Sequence, residues 1–242
     1  MSGHSKWKNI MHKKEKTDAQ RAKIFTKIGK EMAIAVKEGG PDPAVNSKLA
    51  QLITKAKANN VPNDNIERTI KKASSSDAAS LEEMRYEGYG PAGVAVIVMA
   101  ATDNTNRTTP EIRSYFSKYK GNLGTTGCVG YLFEDKGVIM ISKEEGYDED
   151  ELMEASLEAG AADFVSDDEA YIVYTEDADL EAVAADIEKA GFKYVSAEHD
   201  KIPSTYVTLD NEDDIKYMNL LIEHLEDNDD VTEVYHNWEN CD

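Results

Sequence analysis

The chain has 242 residues, which is enough for one large domain or for several small ones. Its 40% hydrophobic content permits packed cores, but the longest apolar run, residues 93–101, is far shorter than the ~20 residues of a membrane span. The formal charge of −20 is unevenly divided, because residues 1–72 hold 16 Lys or Arg against 7 Asp or Glu, whereas the remainder has a net charge of −29.

Residues 1–75 are predicted to form a basic helical domain. A capping box at Thr17 starts a helix that runs to about residue 38, where a Gly-Gly-Pro sequence ends it. Apolar residues recur on one side of this helix at Ile24, Phe25, Ile28, Met32 and Val36. Lysines fall on the other side, at Lys23, Lys27, Lys30 and Lys37. A second helix is predicted to begin at Asp42-Pro43 with Val45 facing inward, and a third to begin at residues 61–63.

After a small-polar linker at residues 74–80, the pattern changes to alternating strands and helices. Residues 136–202 have the order β-α-β-β-α-β of a ferredoxin-like domain. Residues 81–134 and 204–240 are predicted to form a second, split α/β domain, with strands at 129–133 and 205–209 and a helix capped at Thr109-Pro110. The predicted fold class is therefore α+β, with a helical N-terminal domain followed by two ferredoxin-like α/β domains, the third inserted into the second.

The basic start of an acidic chain has two interpretations. The ordinary one is a solvated acidic body whose basic end is kept by attraction within the molecule. The alternative is a nucleic-acid-binding module, in which Lys and Arg neutralise phosphates and Trp7 stacks on an unpaired base. The candidate nucleic-acid-binding residues are His4, Lys6, Trp7, Lys8, Lys13, Lys14, Lys16, Arg21, Lys23, Lys27 and Lys30.

A second candidate site is an inter-domain or ligand loop that follows the buried strand near residues 94–101. Its candidate residues are Tyr86, Tyr89, Asp103, Asn104, Asn106 and Arg107. Polar groups at a strand-to-helix junction are a common place for ligand contacts, although the spacing alone favours capping of the loop and helix. The glycines at 121, 124, 127 and 130 indicate an irregular turn, because no Gly-Lys-Ser/Thr follows them as in a P-loop.

Nothing in the pattern predicts an enzyme, a metal site or a cofactor. No metalloprotease, nucleophile-elbow or dinucleotide-binding motif occurs. Cys128 and Cys241 lack metal-ligand spacing, so we expect free thiols in a reducing cytoplasm. The polar, basic start does not resemble a secretory leader, and we expect no membrane partner.

Several long motifs in order identify the chain as resembling the YebC-like family over essentially its whole length. They are MSGHSKW at 1–7, KIFTK at 23–27, YEGYGP at 86–91, DNTNRT at 103–108, GNLG at 121–124 and LEDNDDV at 225–231. Position 120, directly before GNLG, is Lys in this chain, whereas many members of the family have Gly there. This difference affects only the expected conformation of the local turn.

The resemblance implies three domains, no enzymatic activity and a role in gene expression. It leaves two mechanisms open: a DNA-binding transcriptional regulator acting at promoters, or a ribosome-associated factor that assists translation through difficult sequences such as proline runs. The absence of a helix-turn-helix dimer pattern and the acidic body favour RNA, either rRNA or tRNA on the ribosome. A third hypothesis is an adaptor whose acidic body binds basic partners such as ribosomal proteins. We expect a cytoplasmic monomer.

Overall fold

The structure is a computed structural model that describes residues 18–75 and 80–241. The helices are α1 (Asp18–Gly39), α2 (Ser47–Ala58), α3 (Asn63–Ala73), α4 (Thr105–Lys118), α5 (Glu149–Glu158), α6 (Leu180–Lys189) and α7 (Glu212–Asp227). The strands are β1 (Glu82–Tyr89), β2 (Ala95–Thr102), β3 (Asn122–Leu123), β4 (Phe133–Ser142), β5 (Asp163–Ser166), β6 (Ala170–Glu176), β7 (Ser196–Pro203) and β8 (Val231–His236). Within these ranges no helix is both long enough and apolar enough to cross a membrane.

The described residues fall into two compact units. One contains residues 18–75, 80–131 and 209–237, so that the N-terminal helices and the first sheet belong together. The other contains residues 132–208 and 238–241. The fold is mixed α+β with N-terminal helices and two antiparallel sheets, as the sequence predicts, while the division into three domains with the third inserted stays a prediction.

Helices α1, α2 and α3 share one apolar core. Its buried members are Ile28, Met32, Ala35, Val36, Leu49, Ala56 and Ile66. The predicted stripe on α1 supplies part of this core. The predicted start of α2 was wrong, because the helix is capped by Asn46, whose side chain accepts a hydrogen bond from the Leu49 amide, and Val45 lies in the preceding turn with 79% of its surface exposed.

Helix α1 is buried on a second side as well. Ile34 is only 4% exposed, yet it does not belong to the core shared by the three helices. Its spacing places it on the same side of α1 as Lys27 and Lys30, opposite the apolar stripe. On that side α1 packs against β1, β2 and β8 of the first sheet. The side of α1 that carries Lys27 and Lys30 therefore faces the α/β part of its own unit, whereas Lys37 near the end of the helix is exposed.

The first sheet has the strand order β3-β1-β2-β8, and all of its neighbouring strands are antiparallel. Burial of consecutive residues Val96, Ile97 and Val98 means that both faces of β2 are covered, because successive side chains of a strand point to opposite faces. Helix α7 packs against β8 and against α4. This packing places the end of α7, and the short turn before β8, beside α1.

The second sheet has the order β5-β6-β4-β7 and is antiparallel throughout. With α5 and α6 in the connections, this is the ferredoxin-like arrangement predicted for residues 136–202. Ile139 and Ile141 of β4 join one apolar cluster with Leu152 and Ile187 of the helices, while Met140 between them belongs to a cluster on the other face.

Three local predictions for the split domain are wrong. Residues 130–132 form a single 3-10 turn, and β4 begins at Phe133 because it pairs with β7 as far as Pro203. Residues 205–209 form no strand and carry one isolated bridge, between Val207 and Trp238. Helix α4 begins at Thr105 rather than after Thr109-Pro110.

Candidate nucleic-acid interface

Three of the candidate lysines on α1 contact the end of α7 and the turn that follows it. Lys23 Nζ lies 3.0 Å from Asp227 Oδ1. Lys27 Nζ donates to the backbone oxygen of residue 226 at 2.5 Å, and Lys30 Nζ donates to that of residue 229 at 2.9 Å. These lysines therefore already have anionic or carbonyl partners within their own unit. Whether they also bind nucleic acid stays a prediction.

Asp230 joins this lysine row to the DNTNRT loop. Its Oδ1 accepts a hydrogen bond from Lys30 Nζ at 2.8 Å, and its Oδ2 accepts bonds from Arg107 at 2.6 Å and from Thr108 Oγ1 at 2.8 Å. Burial alone would raise the pKa of this carboxyl, but the hydrogen bonds from Lys30, Arg107 and Thr108 outweigh that effect and hold the pKa well below its usual range. The sequence pattern does not distinguish Asp230 from its acidic neighbours, because its partners lie more than 100 residues away.

The DNTNRT loop has a structural role in this arrangement. Asn104 caps α4 by accepting a hydrogen bond from the Arg107 amide at 3.2 Å. Arg107 pairs with Asp103 at 3.1 Å as well as with Asp230, and Asn106 is exposed in the first turn of α4. The hydrogen bonds made by the loop agree with the capping interpretation, and a ligand-binding role for it stays a prediction.

The two candidate tyrosines lie on β1 and are held by neighbouring groups. Tyr86 is 7% exposed and its hydroxyl lies 2.8 Å from Thr109 Oγ1. The Tyr89 hydroxyl donates to the backbone oxygen of Cys128 at 3.1 Å. Both therefore contact elements of their own unit, Tyr86 at α4 and Tyr89 at the glycine-rich turn.

Between these tyrosines, Glu87 organises the glycine-rich turn. Its carboxylate is 2% exposed and accepts hydrogen bonds from the amides of Val129 at 2.9 Å and Gly130 at 2.7 Å. Arg85 Nε lies 2.9 Å from its other oxygen. Burial raises the pKa of Glu87, but the backbone donors and the Arg85 charge outweigh it, so the pKa is lowered. The amides that a phosphate-binding loop would offer are here occupied by a carboxylate.

A third ionic contact fixes α2 to both α1 and β8. Lys55 Nζ lies 3.1 Å from Glu31 Oε2 and 2.5 Å from Glu233 Oε1. Burial lowers the pKa of Lys55, but the two carboxylates outweigh it and raise the pKa overall. Burial is also the main cause of the raised pKa of Glu31. Lys55 is therefore a structural cation and not part of an open basic surface.

The remaining basic side chains of α2 and α3 are more accessible. Lys48, Lys57, Arg68, Lys71 and Lys72 are all exposed, and so is the candidate Arg21 on α1. Lys48 is paired with Glu38 and Glu83. The candidates His4, Lys6, Trp7, Lys8, Lys13, Lys14 and Lys16, together with the Thr17 capping box, lie outside the described residues. Among the residues that are described, no group of His, Cys, Asp and Glu has the arrangement of a metal site.

Two family models match almost the entire chain. One describes the N-terminal domain of TACO1/YebC proteins and matches residues 5–76. The other describes the second and third domains of TACO1/YebC and matches residues 81–238. The chain belongs to the TACO1/YebC family. The family resemblance given by the sequence motifs is thereby confirmed.

Other proteins are similar to this chain over nearly its whole length. A protein of Acetivibrio thermocellus, named "Probable transcriptional regulatory protein", is 56% identical over 239 residues, which is 98% of this chain and 99% of that protein. A protein of Agathobacter rectalis with the same name is 56% identical over 99% of this chain and 100% of its own length. The crystal structure of the conserved hypothetical protein Aq1575 from Aquifex aeolicus is 43% identical, with a TM-score of 0.81, and covers 93% of this chain and 92% of that one.

Proposed function

We propose that this protein is a non-enzymatic regulator of gene expression that binds nucleic acid through its basic N-terminal domain and acts on translation at the ribosome. The observation that carries the proposal is the division of charge. Residues 1–72 have a net charge of +9 beside a remainder of −29. A polyanion is attracted to such a basic region and repelled by the rest, so the charge distribution selects where nucleic acid binds.

The basic surface consists of two parts. The exposed side chains Arg68, Lys71 and Lys72 lie along α3, on a helix whose Ile66 is buried in the helical core. The second part is the row Lys23, Lys27 and Lys30, which reaches phosphates only by exchanging its present partners. Residues 4–16 are proposed to add Trp7 for stacking on an unpaired base.

An RNA target is favoured over long duplex DNA for electrostatic reasons. Residues 132–208 alone carry 5 Lys against 22 Asp or Glu, so most of the chain outside the basic region repels a polyanion and adds no favourable contacts to a long duplex. Structured RNA offers single-stranded loops that a small basic region can contact. The alternative is a DNA-binding transcriptional regulator, which the names of the relatives favour.

Sedimentation with ribosomes tests the proposal directly. The protein is expected to co-sediment with ribosomes at low salt and to dissociate as salt rises, because phosphate contacts release counterions. The double variant Lys71→Glu with Lys72→Glu is expected to bind less tightly, and the slope of log affinity against log salt on single-stranded RNA should fall by ~1.4, at ~0.7 per lost contact.

The matched control reverses two exposed lysines of the acidic unit, Lys189→Glu with Lys193→Glu, which changes the net charge equally. It should affect the salt slope far less. Equal losses in the two variants would contradict a local interface. Tight binding to a specific DNA duplex without retention on ribosomes would favour the transcriptional alternative.

A further inference from the structure

The end of α7 presents a row of negative oxygens to α1. We call residues 226–230, with the sequence EDNDD, the acidic segment. The backbone oxygen of Glu226 is one of the last carbonyls of α7, which have no partner inside the helix and carry the negative end of its dipole. Together with the carboxylates of Asp227 and Asp230, it forms an anionic strip that contacts all three lysines of the row.

The contacts follow the periodicity of α1. Lys23, Lys27 and Lys30 recur at spacings of four and three residues and meet oxygens of residues 227, 226 and 229–230. Regularly spaced anionic oxygens are also what a nucleic-acid backbone offers to a lysine row. The acidic segment therefore gives these lysines the kind of anionic oxygens that a phosphate backbone would give them.

The two ends of the row differ in exposure. The Asp227 side chain is 73% exposed and its partner Lys23 is 34% exposed, whereas the Asp230 side chain is 7% exposed. Exposed ion pairs contribute little to stability and are readily exchanged for other ions. The exposed contact between Lys23 and Asp227 can open without disturbing the buried contact between Lys30 and Asp230. Displacement of the acidic segment would therefore begin at Lys23.

We propose that the acidic segment is an internal competitor for nucleic acid, which holds the lysine row of α1 until a phosphate backbone displaces it. This rests on the proposed function and adds regulation to the same site. Non-specific polyanions bind weakly, because each must first displace the acidic segment. A ligand held additionally by the other basic residues displaces it more easily.

The test is Asp227→Asn in the full chain, titrated with a fluorescent single-stranded RNA. Loss of the competing carboxylate is expected to raise affinity by about twofold to fivefold, which is the range that an exposed ion pair supplies. The salt slope should steepen by ~0.7 as Lys23 gains a phosphate contact. Adding Lys23→Gln to the variant should abolish both changes.

Asp229→Asn is the matched control, because it removes the same charge two residues away while the Lys30 contact at this position uses the backbone oxygen. The inference is overturned if the two variants bind RNA equally well. The proposed function has its own test. If wild type binds neither RNA nor DNA, and Lys71→Glu with Lys72→Glu does not change binding, then both the proposed function and this inference are wrong. Unchanged melting of Asp227→Asn, expected at this exposed position, confirms that binding is compared between folded proteins.

Discussion

Replacing Asp230 by Asn tests the ionic centre that joins α1, α4 and the turn before β8. The Asp and Asn side chains have nearly identical shapes, but in Asn one carboxylate oxygen is replaced by an NH2 group. If Nδ2 takes the place of Oδ1, a donor faces the Lys30 ammonium, and if it takes the place of Oδ2, a donor faces Arg107. Neither orientation of the amide satisfies both cations.

The magnitude follows from burial and from the number of bonds lost. Breaking a buried ion pair on one side costs ~3–5 kcal/mol. Lys30 is 21% and Arg107 46% exposed, so both cations partly recover hydration, and we expect a loss near the lower limit, about 3 kcal/mol. For a chain of this size this lowers the melting temperature by about 6–12 °C, at about 2–4 °C per kcal/mol.

The assay is thermal unfolding of Asp230→Asn beside Asp229→Asn, which neutralises the exposed neighbouring carboxylate. Because the folded pKa of Asp230 is lowered, its stabilisation is complete above its unfolded pKa of about 4 and is lost as pH falls through the folded value. The gap between wild type and Asp230→Asn should therefore be full at pH 7 and should narrow below pH ~4. Equal melting temperatures of the two variants at pH 7 would refute the ionic centre.

Three further predictions concern other ionic and aromatic positions. Glu87→Gln should lower the free energy of unfolding by about 1–3 kcal/mol, because its NH2 would face a donor in either orientation, the turn amides of Val129 and Gly130 or the Arg85 side chain. Proteolysis within residues 121–131 should become faster, and unchanged stability and proteolysis would argue against this role. Lys55→Met should leave Glu31 and Glu233 facing each other without the Lys55 charge that lowers the pKa of Glu31, so that burial and Glu233 raise this pKa further and the variant loses more stability than wild type as pH rises from 5 to 8. Parallel pH profiles of the two proteins in urea unfolding would contradict this prediction. Trp7→Ala should reduce RNA affinity about tenfold or more with little change in melting temperature, since stacking on a base contributes ~1–3 kcal/mol, whereas a large drop in melting temperature with normal binding would identify Trp7 as a core residue.

The sequence predicted those features that depend on local periodicity. The stripe at Ile28, Met32 and Val36 identified the inner side of α1, and the order of strands and helices in 136–202 identified the ferredoxin-like sheet. Both signals repeat within a short window, so each residue reinforces its neighbours. Cap positions were less predictable, since Asp42 and Asn46 are both good N-cap residues and only packing selects Asn46.

Features that depend on distant partners were missed. Periodicity places Lys23, Lys27 and Lys30 on one side of a helix, but it cannot identify what lies opposite, which is a segment about 200 residues later. Glu87 is an ordinary charged strand residue in sequence terms. Its importance comes from amides some 40 residues downstream that the fold brings to it.

The burial of α1 on two sides determines which truncations of this protein are informative. A fragment lacking residues 1–75 would lose the helix that packs on β1, β2 and β8, and it would expose apolar side chains of the first sheet to water. Large exposed apolar patches promote association. Such a fragment would be expected to aggregate, and its failure to bind RNA would say nothing about recognition. Point substitutions at exposed positions such as Lys71 leave the packing of α1 on the first sheet intact. They can therefore show an effect on RNA binding that is not caused by aggregation.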